Sequence, residues 1–275
     1  MRAPFERILL ATEHTEFDVG AERVAIELAR QCRGSLMAVL PLVSNPEFEA
    51  EAPQLALRAE RQARERLEQL RSIAEGAGVR LEVHVRHGEE PYREIIAEAV
   101  ERGADLVVVR RRGRRGFLAN ALIGEMVGKV ATHAPCSVLL VPRAAPMWSR
   151  AVLAAVDFSP ATLKIVDAAA AIAAHWALPL FAVSVATGES AEARQPAEQA
   201  MSRAVNAAAK AGVSAEGRVL EGRPQEEIAR FAVERQADLI VVGRRGGGSA
   251  VSHLLGGTAT KIAGHADCAV LVVKT

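Results

Sequence analysis

Cysteine is scarce in this chain, with three among 275 residues, at Cys32, Cys136 and Cys268. An odd count without a CxxC spacing excludes a disulfide framework and a zinc ribbon. The three are read as reduced packing residues in a reducing compartment. Long apolar runs are also missing. The opening "MRAPFERILLATEH" has too short an apolar run for the core of a signal peptide and no cleavage pattern, and no later stretch reaches the length of a membrane span. The expectation is a cytoplasmic chain with no membrane partner. Net charge is nearly absent too: 34 basic residues against 33 acidic ones leave +1. That gives no global attraction to a polyanion, and no nucleic-acid partner is expected.

Several chemical signatures are absent as well. No lysine follows a glycine loop in the manner of a Walker motif, no carboxylates cluster for a metal, and no Ser/His/Asp set is tied to a motif. His84 and His87 are three apart in an expected strand and so point to opposite faces, unlike two metal ligands on one helical face. His133 and His265 fall at equivalent places near helix C-termini, where a cation is favoured and a structural role suffices. The run "RRRGRR", Arg110 to Arg115, lacks interleaved aromatics and is followed by acidic helices. It is read as a solvated loop or as an intramolecular partner for those acids.

The chain contains the same unit twice. "EPYREIIAEAVERGADLVVVRRRG" (Glu90 to Gly113) and "RPQEEIARFAVERQADLIVVGRRG" (Arg223 to Gly246) agree without a gap at about 15 of 24 positions. "KVATHAPCSVLLV" (Lys129 to Val141) likewise overlies "KIAGHADCAVLVV" (Lys261 to Val273), at a spacing shorter by one residue. The length suits two cores. The boundary falls near "PRAAPMWS", giving domains 1–145 and 146–275.

Within each copy, short apolar strands alternate with amphipathic helices: "RILLAT", "SLMAVLPL", "RLEVHVRH", "DLVVVR" and "SVLLV" are the strands of the first. This alternation predicts a parallel sheet covered on both faces, five strands to a copy. The long helix from Ala56 to Ala77 is read as an exposed face with paired charges. "SVLLV" and "CAVLVV" end their sheets as apolar strands, and antiparallel pairing between the copies would bury both, giving an internal pseudo-dimer, with a homodimer of chains on other surfaces.

In such a sheet, ligands bind beyond the carboxyl ends of the strands where the strand order reverses. In copy two the first strand ends in "AAVDFSP", with Asp157 at its edge, and the fourth ends in "VVGRRGGGS". Gly243 and Gly246 would let the backbone approach a ligand. Gly256 would open the next helix, whose N–H groups and dipole favour an anion. A carboxylate across the crevice suits an adenine amino group or a ribose hydroxyl. Asp157 also has a plainer reading as a helix cap or turn residue before "SPATLKIV".

A strand, Asp157, then G-x2-G-x9-G from Gly243, Gly246 and Gly256, a helix, and the strand "CAVLVV" together resemble the universal stress protein family (UspA-like), over both halves. The resemblance implies two tandem Rossmann-like (adenine nucleotide alpha hydrolase-like) domains paired through their last strands, in a family divided into ATP-binding and non-binding kinds. It further implies Ala155 and Asp157 beside the adenine, Val185 against base or ribose, and Gly243, Gly246, Gly256, Gly257, Thr258 and Ala259 on the phosphates. Mg²⁺ would come only with ATP. The pattern's hydroxyls after the third glycine are replaced by Gly257 and Ala259, with Thr258 and Thr260 between and beyond them. Copy one departs further: Glu13 for the aspartate, Arg110 for the first glycine, ten residues between Gly113 and Gly124, and Glu125 in the hydroxyl position, where a carboxylate would satisfy the helix donors and repel phosphate. Copy two is thus the candidate ATP site and copy one its degenerate counterpart. The function expected is a nucleotide-responsive or scaffolding module of the stress response with protein partners, and at most slow ATP hydrolysis. The alternatives are an adenylyl-transfer enzyme on the same fold, for which only His14 offers a histidine after a first strand, and an interaction scaffold that binds no nucleotide.

Overall fold

The computed structural model describes residues 3–111, 124–188, 190–245 and 255–275. The chain divides into two compact units, one of Phe5–Arg112 with His133–Pro146 and one of Met147–Thr275 with Met1–Pro4 and Gly113–Thr132, so that nearly all of α5 groups with the second repeat. The first repeat runs β1 (Arg7–Ala11), α1 (Val19–Cys32), β2 (Ser35–Val43), α2 (Pro46–Glu51), α3 (Pro53–Gly76), β3 (Leu81–Gly88), α4 (Pro91–Glu101), β4 (Leu106–Arg111), α5 (Glu125–His133) and β5 (Ser137–Pro142). The second runs β6 (Val152–Ala155), α6 (Ala161–Trp176), β7 (Leu180–Ala186), α7 (Ala191–Lys210), β8 (Ala215–Glu221), α8 (Pro224–Glu234), β9 (Leu239–Gly243), α9 (Gly257–His265) and β10 (Ala269–Val273).

The strands lie in the order β3-β2-β1-β4-β5 in the first repeat and β8-β7-β6-β9-β10 in the second, with parallel pairing throughout each. The two five-stranded parallel sheets expected from the sequence are therefore present. Composition explains the order. β4, β6, β9 and β10 are nearly continuous valine, leucine, isoleucine and alanine and are buried along their length, as strands covered on both faces must be. The edge strands β3 and β8 instead carry Glu82, His84 and Arg86, and Glu216, Arg218 and Glu221, and remain partly exposed. Charge at an edge discourages pairing with a foreign strand. Right-handed crossovers then place α6 and α7 on one face of the second sheet and α8 and α9 on the other.

One aspartate in each repeat fixes the central pair of strands. Asp105, just before β4, accepts hydrogen bonds from the N–H groups of Glu6 and Arg7 at 2.9 and 3.0 Å. Asp238, just before β9, accepts from Ser149, Arg150 and Ala151 at 2.8, 3.1 and 3.2 Å. The N–H groups that open β1 and β6 thus find acceptors on the neighbouring strand's entry.

The α4–β3 corner of the first repeat is held by charge. The buried Glu98 receives Arg86 Nη1 at 2.7 Å and Arg102 Nε at 3.1 Å, and Arg86 also reaches Glu94 and Glu101. Burial pushes the Glu98 carboxyl up, and the hydrogen bonds from Arg86 and Arg102 more than offset it, so its pKa lies below the ordinary value. In the second repeat Phe231 stands at the matching place, edge-on to Phe181 at 6.3 Å with Arg235 over both rings. On α3, Glu60 pairs with Arg64 and Glu68 with Arg71, while Ala63, Leu67, Leu70 and Ala74 form its buried stripe. Cys32 and Cys136 are buried and Cys268 half-buried; burial pushes the Cys32 thiol up to about 11.

Replacing Asp238 by Ala orphans three N–H groups and is expected to lower stability by about 2–3 kcal/mol in urea unfolding. Glu98 has a depressed folded-state pKa, so its contribution is complete above the ordinary glutamate value near pH 4.3 and is lost as pH falls through the lower folded value. The stability gap between wild type and Glu98→Gln should accordingly be widest near neutrality and close in acid, as read from urea midpoints across that range.

Candidate functional site

The connection from β6 leads to β7 on one side, whereas β9 lies on the other side of β6 and is reached from β8. A crevice is therefore left beyond the carboxyl ends of β6 and β9. Ala155 ends β6 and is buried, and Asp157 follows, half-buried. Ala154 lies opposite Val241, which brings Asp157 and Arg244 to comparable depth beyond their strands. Asp157 is organised as a turn. Ser159 Oγ donates to its Oδ1 at 2.5 Å, and its carbonyl accepts from Ser159 N at 2.8 Å and from the Thr162 hydroxyl. The N-cap of α6 is Pro160, so of the two plainer readings of Asp157 the turn is correct and the helix cap is not. Val185, in β7, is half-buried.

Gly243 ends β9. A Cβ there would meet Ile165 Cδ1 at 3.0 Å, the Arg245 carbonyl oxygen at 3.1 Å and Thr275 Cγ2 at 3.3 Å. Internal packing thus requires a glycine here, whether or not a ligand also approaches its backbone. Beyond it, the Arg244 N–H donates to Val273 O and the Gly256 N–H donates to Arg244 O, both at 2.9 Å. These bonds fasten the two ends of the glycine loop to each other and to the sheet. Gly256 is the N-cap of α9, as the sequence placed it. The first-turn N–H groups of Gly257, Thr258 and Ala259 have no acceptor within the helix and carry the positive end of its dipole. Gly257 and Thr258 are exposed and Ala259 is buried, and a Cβ on Gly257 would meet nothing within 4 Å. Gly246 and Gly113 lie outside the described residues.

At the first crevice, beyond β1 and β4, Arg110 meets acids and a hydroxyl from the segment that follows β1. Arg110 places Nε 3.4 Å from Asp18 Oδ1, Nη2 3.5 Å from Glu13 Oε2 and Nη1 3.3 Å from Thr15 Oγ1. The Phe17 ring faces Arg110 at 6.0 Å and Arg143 at 5.4 Å. Beneath them, the buried Glu22 accepts from Thr12 Oγ1 at 2.7 Å and meets His14 Nδ1 at 3.0 Å. Gly124 precedes α5 and is half-buried, and the exposed Glu125 pairs with Lys129 Nζ at 2.9 Å. The Glu125 carboxylate thus turns to its own helix's lysine. Arg111 is a second departure: read from sequence as part of a solvated loop or an acid-pairing run, it is buried, as is its counterpart Arg244.

Sequence reasoning passed over Ser159, Thr162 and Glu22. The last was visible, since the alignment of the repeats sets Glu22 against Val166. His84 contacts Arg102 and His87 pairs with Glu60, while His133 and His265 occupy the last turns of α5 and α9 as expected. Among the described residues, no helix is long and apolar enough to cross a membrane.

Two open parallel sheets of Rossmann type, each with its crevice at the point where strand order reverses, define the class of protein. The chain belongs to the universal stress protein family, whose description matches residues 4–142 and 149–274. A universal stress protein of Methanocaldococcus jannaschii is 37% identical over 81 residues, covering 30% of this chain and 48% of that protein. One from Thermus aquaticus is 45% identical over 56 residues, 20% of this chain and 41% of its own. The chain spans about half the length of these curated relatives or less. A solved universal stress protein from Archaeoglobus fulgidus shares the fold with a TM-score of 0.77 at 20% identity, over 97% of each chain. Another, from Pseudomonas aeruginosa, has a TM-score of 0.69 at 20% identity, over 98% of this chain and 94% of that one.

Because the space on the Cβ side of Gly243 is taken by Ile165 and Thr275, Gly243→Val should destabilise the protein by about 1–3 kcal/mol with or without any ligand. Thermal unfolding in nucleotide-free buffer measures this. An unchanged midpoint would show that packing does not require the glycine.

Proposed function

We propose that this is a cytoplasmic stress-response protein whose second domain binds an adenine nucleotide, ATP with Mg²⁺, in the crevice beyond β6 and β9, while the first domain's crevice is closed to it. The observation that carries this reading is the Gly256 N–H to Arg244 O hydrogen bond, which holds the start of α9 at the exit of β9, beside the strand that leads to Asp157. Asp157 would accept from the adenine amino group or a ribose hydroxyl, with Ala155 and Val185 against the base. The N–H groups of Gly257, Thr258 and Ala259, with the mouth of the glycine loop, would take the phosphates. In the first domain the pairing of Arg110 with Asp18 and Glu13 beyond β4 supports the reading that its crevice does not take the nucleotide. The nucleotide is read as a regulatory ligand that shifts contacts with protein partners through its different affinity for two states.

The test is calorimetric titration of ATP and Mg²⁺ into the nucleotide-free full chain. Binding of one nucleotide per chain is expected. Asp157→Asn, which preserves the shape of the turn, should weaken it about tenfold. Gly257→Ser points its new side chain into open space, restores a hydroxyl beside the phosphates and should tighten binding several-fold. No heat from folded protein at about 1 mM ATP would overturn the proposal.

A further inference from the structure

The second domain has a feature that the nucleotide crevice does not use. A groove of about 550 Å³ runs between α6 and α7, lined by Leu163, Asp167, Arg203, Asn206, Ala207 and Lys210. Arg203, Ala207 and Lys210 recur at helical spacing on one face of α7, and Leu163 and Asp167 are four apart on α6, so the two helices offer parallel rows to an incoming segment. Four other arginines of this domain are ion-paired: Arg194 with Glu198, Arg223 with Glu226, Arg230 with Glu227 and Arg235 with Glu216. Among the described residues, Arg203 and Lys210 have no carboxylate within 4.0 Å and Asp167 has no cation. Arg203 lies instead over the ring of Phe158, 4.4 Å from its centroid. Phe158 and Leu163 are 44% and 53% exposed, so apolar surface accompanies the two cations.

The complementary chemistry is carried by the same sequence. Residues 46–57, "PEFEAEAPQLAL", form α2 and the start of α3 and contain no lysine or arginine. Glu47, Glu49 and Glu51 are exposed and, among the described residues, ion-pair with nothing, although Glu49 accepts from the Ser44 hydroxyl. Leu55 and Leu57 are 54% and 65% exposed. We propose that the α6–α7 groove of one copy takes residues 46–57 of a second copy, with the glutamates set against Arg203 and Lys210 and the leucines against Leu163 and Phe158. Every copy carries both the groove and the segment, so the contact is heterologous, one face of a chain against a different face of the next.

Sedimentation velocity of the full chain tests this. Wild type should self-associate at micromolar concentration, and the association should weaken as salt screens the charges. Arg203→Glu with Lys210→Glu should reduce the association constant tenfold or more, as should Glu47→Lys with Glu49→Lys and Glu51→Lys. Mixing the two charge-reversed variants sets an acidic groove against a basic segment, and a basic groove against an acidic one, so the mixture should regain association that neither variant has alone. That recovery also shows both variants to be folded. A wild type that stays monomeric at about 100 µM, reversed variants that associate unchanged, or a mixture that fails to recover would each overturn the proposal.

Discussion

A parallel sheet with right-handed crossovers can be extended from its first strand in either direction, and each repeat of this chain does both. It lays two strands on one side of β1 or β6, then returns to add two on the other. The reversal leaves the ends of β1 and β4, and of β6 and β9, side by side with no crossover helix between them. Whatever residues follow those strands must face one another. The aspartates that precede β4 and β9 set the depth at which they do so, because each grips the N–H groups that open the adjacent first strand. Asp238 and Asp157 therefore belong to one arrangement: the first fixes the entry of β6 against β9, and the second sits at the exit that this register delivers.

The two repeats keep this frame and fill it differently. At the α4–β3 corner the first repeat buries Glu98 between two arginines, whereas the second puts Phe231 against Phe181 and lays the matching arginine over both rings. An ion-paired carboxylate and an aromatic cluster are alternative ways of occupying one volume, and the carboxylate depends on its partners because its desolvation must be offset. The exchange matters less for fold than for acid response, since only the first corner holds a carboxylate with a lowered pKa.

The repeat and the strand–helix alternation were legible in the sequence except for the short α2, which has no counterpart in the second repeat, because buried parallel strands read as unbroken apolar runs and the duplication gave the other elements a second witness. Gly256 at the mouth of α9 was legible for the same reason, standing just before a helical pattern. At Gly243 the sequence shows that a side chain is absent, while only packing shows that Ile165 and Thr275 hold the space. The burial of Arg111 was not legible, because a run of arginines reads as solvated or acid-paired until one of them is seen to be buried at a strand end. The Lys129 partner of Glu125 was not legible, since a residue that opens a helix can turn either to the helix N–H groups or to a lysine four residues on, and the sequence favours neither.

The filling of the first crevice has the marks of a coordinated exchange. Where Gly243 is hemmed in by Ile165, the first repeat has Arg110, and the residue aligned with Ile165 is Ala21, so room opens where the larger side chain must go. The residue aligned with Thr162 is Asp18, a buried carboxylate that meets the guanidinium. Enlargement, relief and charge pairing thus occur together at three positions that meet in space and are scattered in sequence. A foreign anion entering this crevice would have to draw Arg110 from Asp18 and leave a buried carboxylate without its cation, a loss of about 3–5 kcal/mol when such a pair is broken. The pairing of Arg110 with Asp18 therefore opposes entry of an anion here, and the absence of a few glycines and hydroxyls acts in the same direction.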